Sequence, residues 1–370
     1  MMKHDYSEFM PQMRPSFGIE EKELVCNYLD GDGYITEFQN TFAFETALCN
    51  YTGFKHCIAV NNGTISLTIS ALALGLKPGD EVIVPNFTMI ATVNSMQMIG
   101  LTPKFVDVEY STLCLDLELV KTAITSKTKA IILVNANGRE PSVGIEAFRD
   151  LAASRNLFLI EDSAQALGSA YRTGQHIGTQ ADIASFSFSA PKIISTGQGG
   201  IVATNSDELA TKVKKLKDFG RSSGGNDIHD SLGYNFKFTE LQALIGLGQM
   251  QKLGERVIEK KAIYDWYREE LNEIEEVELI ENDTKYTAPW FYEVRTKDRE
   301  NLISTLKHHG IGSRPMYPPI NYQECWNVPG EHPVSNEIGE RGLWLPSMSD
   351  LSREDVTKVG LAIKAHFSCK

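Results

Sequence analysis

The stretch that decides the fold is KAIILVNANGREPSVGIEAFRDLAASRNLFLIEDS, residues 129–163. It opens with a short run of apolar and β-branched residues, continues as an amphipathic helical pattern over residues 146–154, and closes on a second apolar run. Near-continuous apolar strands joined by a helix are typical of parallel strands that are buried on both faces. The stretch therefore predicts a strand–helix–strand unit of an α/β protein.

The same alternation of apolar runs and helical patterns continues along the chain from about residue 56. Besides the two runs in the opening stretch, five others read as strands: HCIAVNN, DEVIVPN, PKFVDV, ADIASFSFS and GGIVATN. Amphipathic stretches such as residues 67–76 lie between them. We therefore predict an α/β domain in which helices flank a mostly parallel seven-stranded sheet.

The pattern changes after about residue 245. A long amphipathic helix is predicted over residues 252–274, followed by a strand in APWFYEVRT and a helix in RENLISTLKHHG that ends at Gly310. Pro11 and Pro15 disfavour helix near the N-terminus. The expected organisation is an N-terminal arm over residues 1–18, a large α/β domain over 19–250 and a smaller α+β domain over 251–370.

Composition excludes several classes of function. The 370 residues are 42% apolar and 23% charged, with a net charge of −12, which argues against a broad nucleic-acid-binding face. The six cysteines lie apart, with no metal-ligand spacing, so we expect reduced thiols and no metal site. Because no apolar run has the length of a signal peptide or a membrane span, a cytoplasmic protein is expected.

Ligands of open α/β sheets bind beyond the carboxyl ends of the strands, so the residues at those ends are the site candidates. The first run passes through Asn62-Gly63-Thr64 into a helical pattern, where backbone N–H groups and a hydroxyl could hold a phosphate. An ordinary helix N-cap is the alternative interpretation. Asp162 ends a later run and could hold a cationic ring nitrogen, or could be structural.

Lys192 stands alone in FSFSAPKIISTGQGG, residues 186–200, among small, hydroxylic and apolar residues. Apolar surroundings disfavour a charged ammonium and lower the pKa of a lysine, which makes its neutral amine available as a nucleophile. Ser187 precedes it on the polar face of the strand and could contact a phosphate. The glycines at 197, 199 and 200 have neither dinucleotide-binding nor P-loop spacing, so both of those interpretations are rejected.

Taken in this order, the motifs resemble the DegT/DnrJ/EryC1/StrS family of sugar aminotransferases. The resemblance rests on Asn62-Gly63-Thr64, EDSAQALG, FSFSAPK with TGQGG, and GYNFKFTELQA, and it extends from GYIT at 33–36 to WLP at 344–346. It implies a pyridoxal 5′-phosphate (PLP)-dependent transferase of fold type I. It also implies a homodimer with shared active sites.

The resemblance assigns roles to matching positions. Lys192 matches the lysine that bonds to the cofactor and then shuttles protons, and Asp162 matches the carboxylate that keeps the pyridine nitrogen protonated. Gln165 matches a residue near the phenolic oxygen of the cofactor. Asn235 matches a residue that reaches the phosphate from the neighbouring subunit. The remaining cofactor contacts implied are Asn62, Gly63, Thr64, Ser187 and, in place of the usual stacking aromatic, Met89.

The substrate side departs from the family pattern at two points. Met89 stands where an aromatic residue usually stacks on the cofactor, and Asn137 replaces an aromatic residue in the segment ANGREP. Arg314 is a candidate contact for a substrate anion, with a surface arginine as the alternative. The substrate-side candidates are Tyr34, Phe87, Asn137, Arg314 and Tyr317.

Within the family, the chain looks most like the group that aminates C4 of a nucleotide-linked 4-keto-6-deoxy sugar with L-glutamate as donor. C3 amination, another PLP-dependent reaction on an amino acid, and a non-catalytic regulator that binds PLP or a nucleotide sugar remain alternatives. The dehydratase branch of the family has histidine at the position of Lys192, so the lysine favours transamination. The nucleotide and the stereochemistry of the sugar are left open.

Overall fold

In the computed structural model, the described residues are Tyr6, residues 8–222 and residues 227–368. Residues 1–5 and 7 of the predicted N-terminal arm, residues 223–226 of the predicted large domain and the last two residues of the predicted small domain lie outside these ranges. None of the helices within these ranges is both long enough and apolar enough to cross a membrane.

A seven-stranded sheet forms the centre of the described chain, with strand order β1-β7-β6-β5-β4-β2-β3. Each of the seven predicted runs overlaps one of its strands, two of which begin one residue before the run, and the fold class is confirmed. The sheet is parallel except at β7, which runs antiparallel to both β1 and β6. The strands are β1 His56–Val60, β2 Glu81–Pro85, β3 Thr102–Val106, β4 Thr128–Val134, β5 Phe158–Asp162, β6 Ile183–Ser187 and β7 Gly200–Thr204.

Helices cover the sheet on both faces, and the side chains of each strand alternate between hydrophobic clusters on its two sides. In β4, Ile131 and Leu133 belong to one cluster, whereas Ala130 and Ile132 belong to the other. The helices up to the end of the sheet are α1 Ile19–Leu29, α2 Gln39–Thr52, α3 Gly63–Ala73, α4 Ile90–Gln97, α5 Leu117–Ala123, α6 Ile145–Arg155 and α7 Asp207–Lys217.

A second sheet of four antiparallel strands follows in the described C-terminal part, with the order β10-β11-β9-β8. Its strands are β8 Glu278–Leu279, β9 Tyr292–Arg295, β10 Arg314–Pro315 and β11 Gly342–Leu345. The accompanying helices are α8 Glu240–Leu271, α9 Arg299–His308, α10 Pro333–Arg341 and α11 Arg353–Ser368, with short 3-10 turns at Ala136–Gly138 and Ile320–Tyr322. The strand and helix predicted after residue 285 correspond to β9 and α9.

Helix α8 begins 12 residues earlier than residue 252, where the sequence pattern placed its start, and ends at Leu271. The first turns of α8 contain glycines, which are poor helix formers, so the sequence pattern there does not predict a helix. Tight packing explains two of them: a Cβ on Gly246 would lie 2.7 Å from the Phe44 ring, and one on Gly248 would lie 3.0 Å from the Glu21 side chain. The helix therefore runs across the predicted domain boundary at residue 250, and the division into two domains stays a proposal.

Candidate functional site

The direction of the strands brings the candidate residues to one edge of the large sheet. Because β1, β5 and β6 all run the same way, Asn62, Asp162 and Ser187 follow or end their strands at the same edge. A cavity of about 480 Å³ opens there. Eight predicted cofactor residues line it, namely Asn62, Gly63, Thr64, Met89, Asp162, Gln165, Ser187 and Lys192.

Two glycines allow the start of α3 to lie directly against β6 and β7. A Cβ on Gly63 would lie 2.9 Å from the Ser187 Cβ, and one on Gly200 would lie 2.4 Å from the Asn62 carbonyl oxygen. The Asn62 side chain caps α3, since its Oδ1 accepts a hydrogen bond from the Ile65 N–H at 2.9 Å. The cradle therefore offers backbone N–H groups at the positive end of a helix dipole together with the Ser187 hydroxyl, a combination suited to an anion.

Asp162 is a buried carboxylate held by neutral donors. Its Oδ2 accepts a hydrogen bond from the Thr92 hydroxyl at 2.7 Å, and its Oδ1 accepts one from the Ala164 N–H at 3.2 Å. Burial raises the pKa of this carboxyl, although the two hydrogen bonds and the charge of Lys192 oppose the rise. A buried carboxylate in this position favours a cationic partner in the cavity.

Lys192 lies in the loop after β6, with its side chain half-buried at the cavity wall. Its Nζ lies 4.1 Å from the centroid of the Trp290 ring. Burial lowers the pKa of the Lys192 amine to about 8, with the charge of Asp162 opposing and that of Arg314 adding to the effect. The neutral fraction of this amine near neutral pH is therefore larger than that of an ordinary lysine, which favours a nucleophilic or proton-transferring role.

Gln165 lines the cavity, but Asn137 does not. The Gln165 Oε1 accepts a hydrogen bond from the Asn137 N–H at 2.7 Å, which ties the two segments together. The Asn137 side chain is fully buried, and its carboxamide pairs with the backbone N–H and carbonyl of Phe291 at 2.7 and 2.9 Å. Asn137 is thus not available to a substrate. The expected contact is corrected to a structural role, because a polar side chain buried at this depth pairs with backbone groups.

The structure also shows where the aromatic candidates lie relative to the cavity, which the sequence does not indicate. Phe87 is buried against Tyr317, with 5.9 Å between ring centroids, so Met89 rather than Phe87 faces the cavity. Tyr317 packs edge-on against Trp344 at 4.7 Å. The Arg314 guanidinium lies over the same tryptophan at 4.5 Å and is exposed, which leaves it able to meet an anion.

Phe87, Asn137, Arg314 and Tyr317 do not line the cavity, and two further candidates also lie away from it. Tyr34 is 69% exposed, and Asn235 is exposed on a segment whose backbone pairs with Asp218. Neither lines the cavity in one copy of the chain.

Sequence reasoning missed two residues of the site. Thr92 holds Asp162, and Trp290 contacts Lys192. Trp290 stands in a run recognised as a strand, but no spacing in the sequence connects it with a lysine 98 positions earlier. Among the described residues, no group of three or more histidine, cysteine or acidic side chains is arranged to hold a metal ion.

A lysine of lowered pKa and a buried carboxylate share one cavity at the carboxyl edge of this sheet, an arrangement that suits a PLP-dependent transferase of fold type I. The comparisons with known proteins place the chain within that class. It belongs to the DegT/DnrJ/EryC1/StrS aminotransferase family, whose sequence model matches residues 15–364. The chain is therefore an enzyme of the PLP-dependent sugar aminotransferase type.

Relatives and solved structures agree over nearly the full length. The chain is 35% identical to the GDP-perosamine synthase of Escherichia coli O157:H7, covering 98% of this chain and 100% of the relative. It is 33% identical to that of Vibrio cholerae, with 97% and 100% covered. An aminotransferase from Psychrobacter cryohalolentis is similar with a TM-score of 0.91 at 27% identity, covering 98% and 99%. Spr1654 of Streptococcus pneumoniae in its PLP form has a TM-score of 0.89 at 27% identity, covering 98% and 99%.

Proposed function

We propose that this enzyme moves the amino group of L-glutamate to C4 of a nucleotide-linked 4-keto-6-deoxy sugar, giving an amino sugar nucleotide and 2-oxoglutarate. The observation that carries the proposal is the Lys192 amine in one cavity with the buried carboxylate of Asp162. The choice of sugar and position draws on the similarity to two enzymes named GDP-perosamine synthase. A cytoplasmic location accompanies the proposal.

The residues of the cavity fit PLP. Asp162 would hold the protonated pyridine nitrogen, and Thr92 keeps its carboxylate in place. The cradle of Gly63, Thr64 and Ser187 would hold the phosphate, and the absence of a side chain on Gly63 lets the backbone there lie close to Ser187. When bound, PLP supplies an electron sink that stabilises negative charge on the carbon from which a proton leaves.

The reaction assigns proton handling to Lys192. Its amine would bond to PLP and would leave as the amino group of the donor takes its place, and the freed amine would then take the α-proton of glutamate. In the second half of the reaction, the Lys192 ammonium returns a proton to the sugar carbon, and the face from which it does so sets the stereochemistry. Gln165 would lie near the phenolic oxygen, and the exposed Arg314 would contact an anionic group of a substrate.

We further propose a homodimer in which a second copy completes each site. Asn235 lies outside the cavity of its own chain, as a residue serving the neighbouring copy would. Large apolar side chains stand exposed on the same segment and on the segment before α2, with Leu232 87% and Tyr234 45% exposed beside Ile35 at 46% and Phe38 at 45%. Apolar surface of this kind favours association.

Absorption spectroscopy and a product assay test the proposed function. The purified protein reconstituted with PLP is expected to show a near-visible absorption band that glutamate bleaches. Lys192→Ala is expected to lack this band, and its activity is expected to fall by about a thousandfold or more. Lys77→Ala, which alters an exposed turn, serves as the matched control.

Mass spectrometry of products from GDP-linked and dTDP-linked 4-keto-6-deoxy sugars, with a 3-keto isomer alongside, then identifies the acceptor. An identical band in Lys192→Ala would contradict the assignment of the lysine. If only the 3-keto sugar is turned over, the proposal of C4 amination is wrong and C3 amination is the function. If PLP binds but neither kind of sugar is turned over, a non-catalytic regulator is favoured.

A further inference from the structure

Two lysines contact Trp290, one at its ring and one at its backbone carbonyl. The Lys192 Nζ lies 4.1 Å from the centroid of its ring, and the Lys260 Nζ donates a hydrogen bond to its backbone carbonyl at 2.6 Å. The residue is 4% exposed, so the ring forms part of the protein interior beside the cavity. Because this buried ring face contacts the Lys192 amine, Trp290 can affect the amine as well as fill space in the interior.

Three contacts determine where the ring lies. Its Nε1–H donates to the carbonyl of Pro191, the residue directly before Lys192, at 2.7 Å. Lys260 in α8 joins the Trp290 backbone to the Ser347 carbonyl, which it also contacts at 2.6 Å. The ring of Trp344 packs against Trp290 at 6.0 Å between centroids. Trp290 is thus tied both to the loop that carries the lysine and to the second sheet.

The charges around Lys192 oppose one another. Burial and the positive charge of Arg314 favour the neutral amine, whereas the carboxylate of Asp162 favours the ammonium. The face of an indole ring also favours a cation, by about 1–2 kcal/mol where the pair is shielded from water. Trp290 and Asp162 therefore both favour the ammonium form of Lys192. Unlike Asp162, however, Trp290 acts at short range and carries no charge that a bound cofactor would neutralise.

We propose that Trp290 is a positioning residue whose ring face receives the Lys192 ammonium that forms when the released amine has taken up a proton. It keeps the released side chain at the cavity wall, protonated and aimed at the reacting carbon, between the removal of one proton and the delivery of the next. This inference rests on the proposed function, because it presupposes that Lys192 bonds to PLP and is released again.

The test compares Trp290→Leu, Trp290→Phe and wild type without cofactor. PLP is added over a range of pH, and the rate at which the near-visible band forms gives the apparent pKa of the Lys192 amine. Leucine keeps the site apolar but removes the ring face, so the apparent pKa is expected to fall by about one unit. Phenylalanine keeps an aromatic ring that attracts the cation less strongly, and it loses the hydrogen bond to Pro191. The apparent pKa of Lys192 is therefore expected to fall by less than in the leucine variant.

A single-turnover reaction of the loaded enzyme with glutamate gives the second readout. The proton-transfer rate of Trp290→Leu is expected to drop about 10- to 100-fold while its PLP affinity stays within about threefold of wild type. Trp326→Leu is the matched control, because that tryptophan packs on Phe105 away from Lys192 and its loss is expected to shift neither readout.

The outcomes separate the inference from the proposed function. An apparent pKa and a single-turnover rate equal to wild type in Trp290→Leu would overturn the role of Trp290 while leaving Lys192 in place. If Trp290→Leu does not fold, the same equality in Trp290→Phe overturns it. A wild-type protein that forms no band dependent on Lys192 contradicts the proposed function itself.

Discussion

Thr92 controls the environment of Asp162 through a single hydroxyl. Its Oγ donates to the carboxylate at 2.7 Å and also pairs with the Thr88 hydroxyl at 2.9 Å, all in the protein interior. Burial already raises the pKa of Asp162, and the hydroxyl is the first of the groups that oppose this rise. Removing it therefore pushes the pKa of the carboxyl further upward.

We expect Thr92→Val, which keeps the shape of the side chain, to weaken PLP binding by about 10- to 100-fold, the usual worth of a hydrogen bond to a charged group. The reason is that a protonated Asp162 no longer attracts a cationic pyridine nitrogen. Thr92→Ser keeps the donor and is expected to bind PLP within about threefold of wild type. Absorbance titration with PLP checks both, and equal affinities for the valine and serine variants would show that the hydroxyl is dispensable.

At the scale of elements, Glu240 joins the start of α8 to the start of α2. Its buried carboxylate accepts hydrogen bonds from the N–H groups of Phe38, Asn40 and Thr41 at 2.7–2.9 Å and from the side chains of Asn40 and Thr41. The side chain of Phe38, the N-cap of α2, cannot supply these bonds. One acidic residue of α8 therefore satisfies the free N–H groups at the beginning of another helix.

Glu240→Gln is expected to lower the free energy of unfolding at neutral pH by about 2–3 kcal/mol, since an amide meets the same donors less well. Burial raises the pKa of the Glu240 carboxyl, but the hydrogen bonds outweigh this and the net pKa is lowered from 4.5. The unfolded state then takes up the proton first, so the stabilisation is complete above about pH 4.5 and is lost as the pH falls through the lower folded-state value.

Denaturant unfolding at several pH values measures this dependence. The difference between wild type and Glu240→Gln should shrink as the pH falls below about 4.5. Glu23→Gln, on the exposed face of α1, provides the control and is expected to change stability by less than about 0.5 kcal/mol. A difference that is constant with pH would contradict a carboxylate role for Glu240.

At the scale of the whole molecule, the proposed shared site can be tested by mixing two inactive variants. Lys192→Ala removes the amine from its own cavity, whereas Asn235→Ala would impair only the site of the partner. Co-expressed with two different tags, the variants are expected to form heterodimers that each keep one intact site, which restores about a quarter of wild-type activity for random pairing. Light scattering on each variant alone provides the check on assembly.

No recovered activity in purified heterodimers would place Asn235 outside any shared site. If the protein is a monomer at the concentrations used in the assay, the proposal of a homodimer is wrong. The exposed apolar side chains around Leu232 and Phe38 would then have to be explained by contact with a different partner.

The sequence by itself determined the elements of the large sheet and the chemical character of its site. Apolar runs with helical patterns between them are local signals, so the sequence is enough to predict all seven strands. The same holds for Asp162, Ser187 and Lys192, since each follows or ends such a run and parallel strands carry their ends to one edge. The start of α8 was missed because its glycines serve contacts with Phe44 and Glu21, which lie far away in the chain.

Only the tertiary structure decided which side chains face the cavity and what surrounds them. Asn137 turns inward because the backbone of Phe291 supplies its hydrogen-bond partners, and Phe87 is buried because Tyr317 packs on it. Trp290 reaches Lys192 from the second sheet through contacts that no local pattern encodes. Local periodicity reports on whether a residue is buried, but the identity of its neighbour depends on how distant segments pack, and the pKa of Lys192 depends on those neighbours.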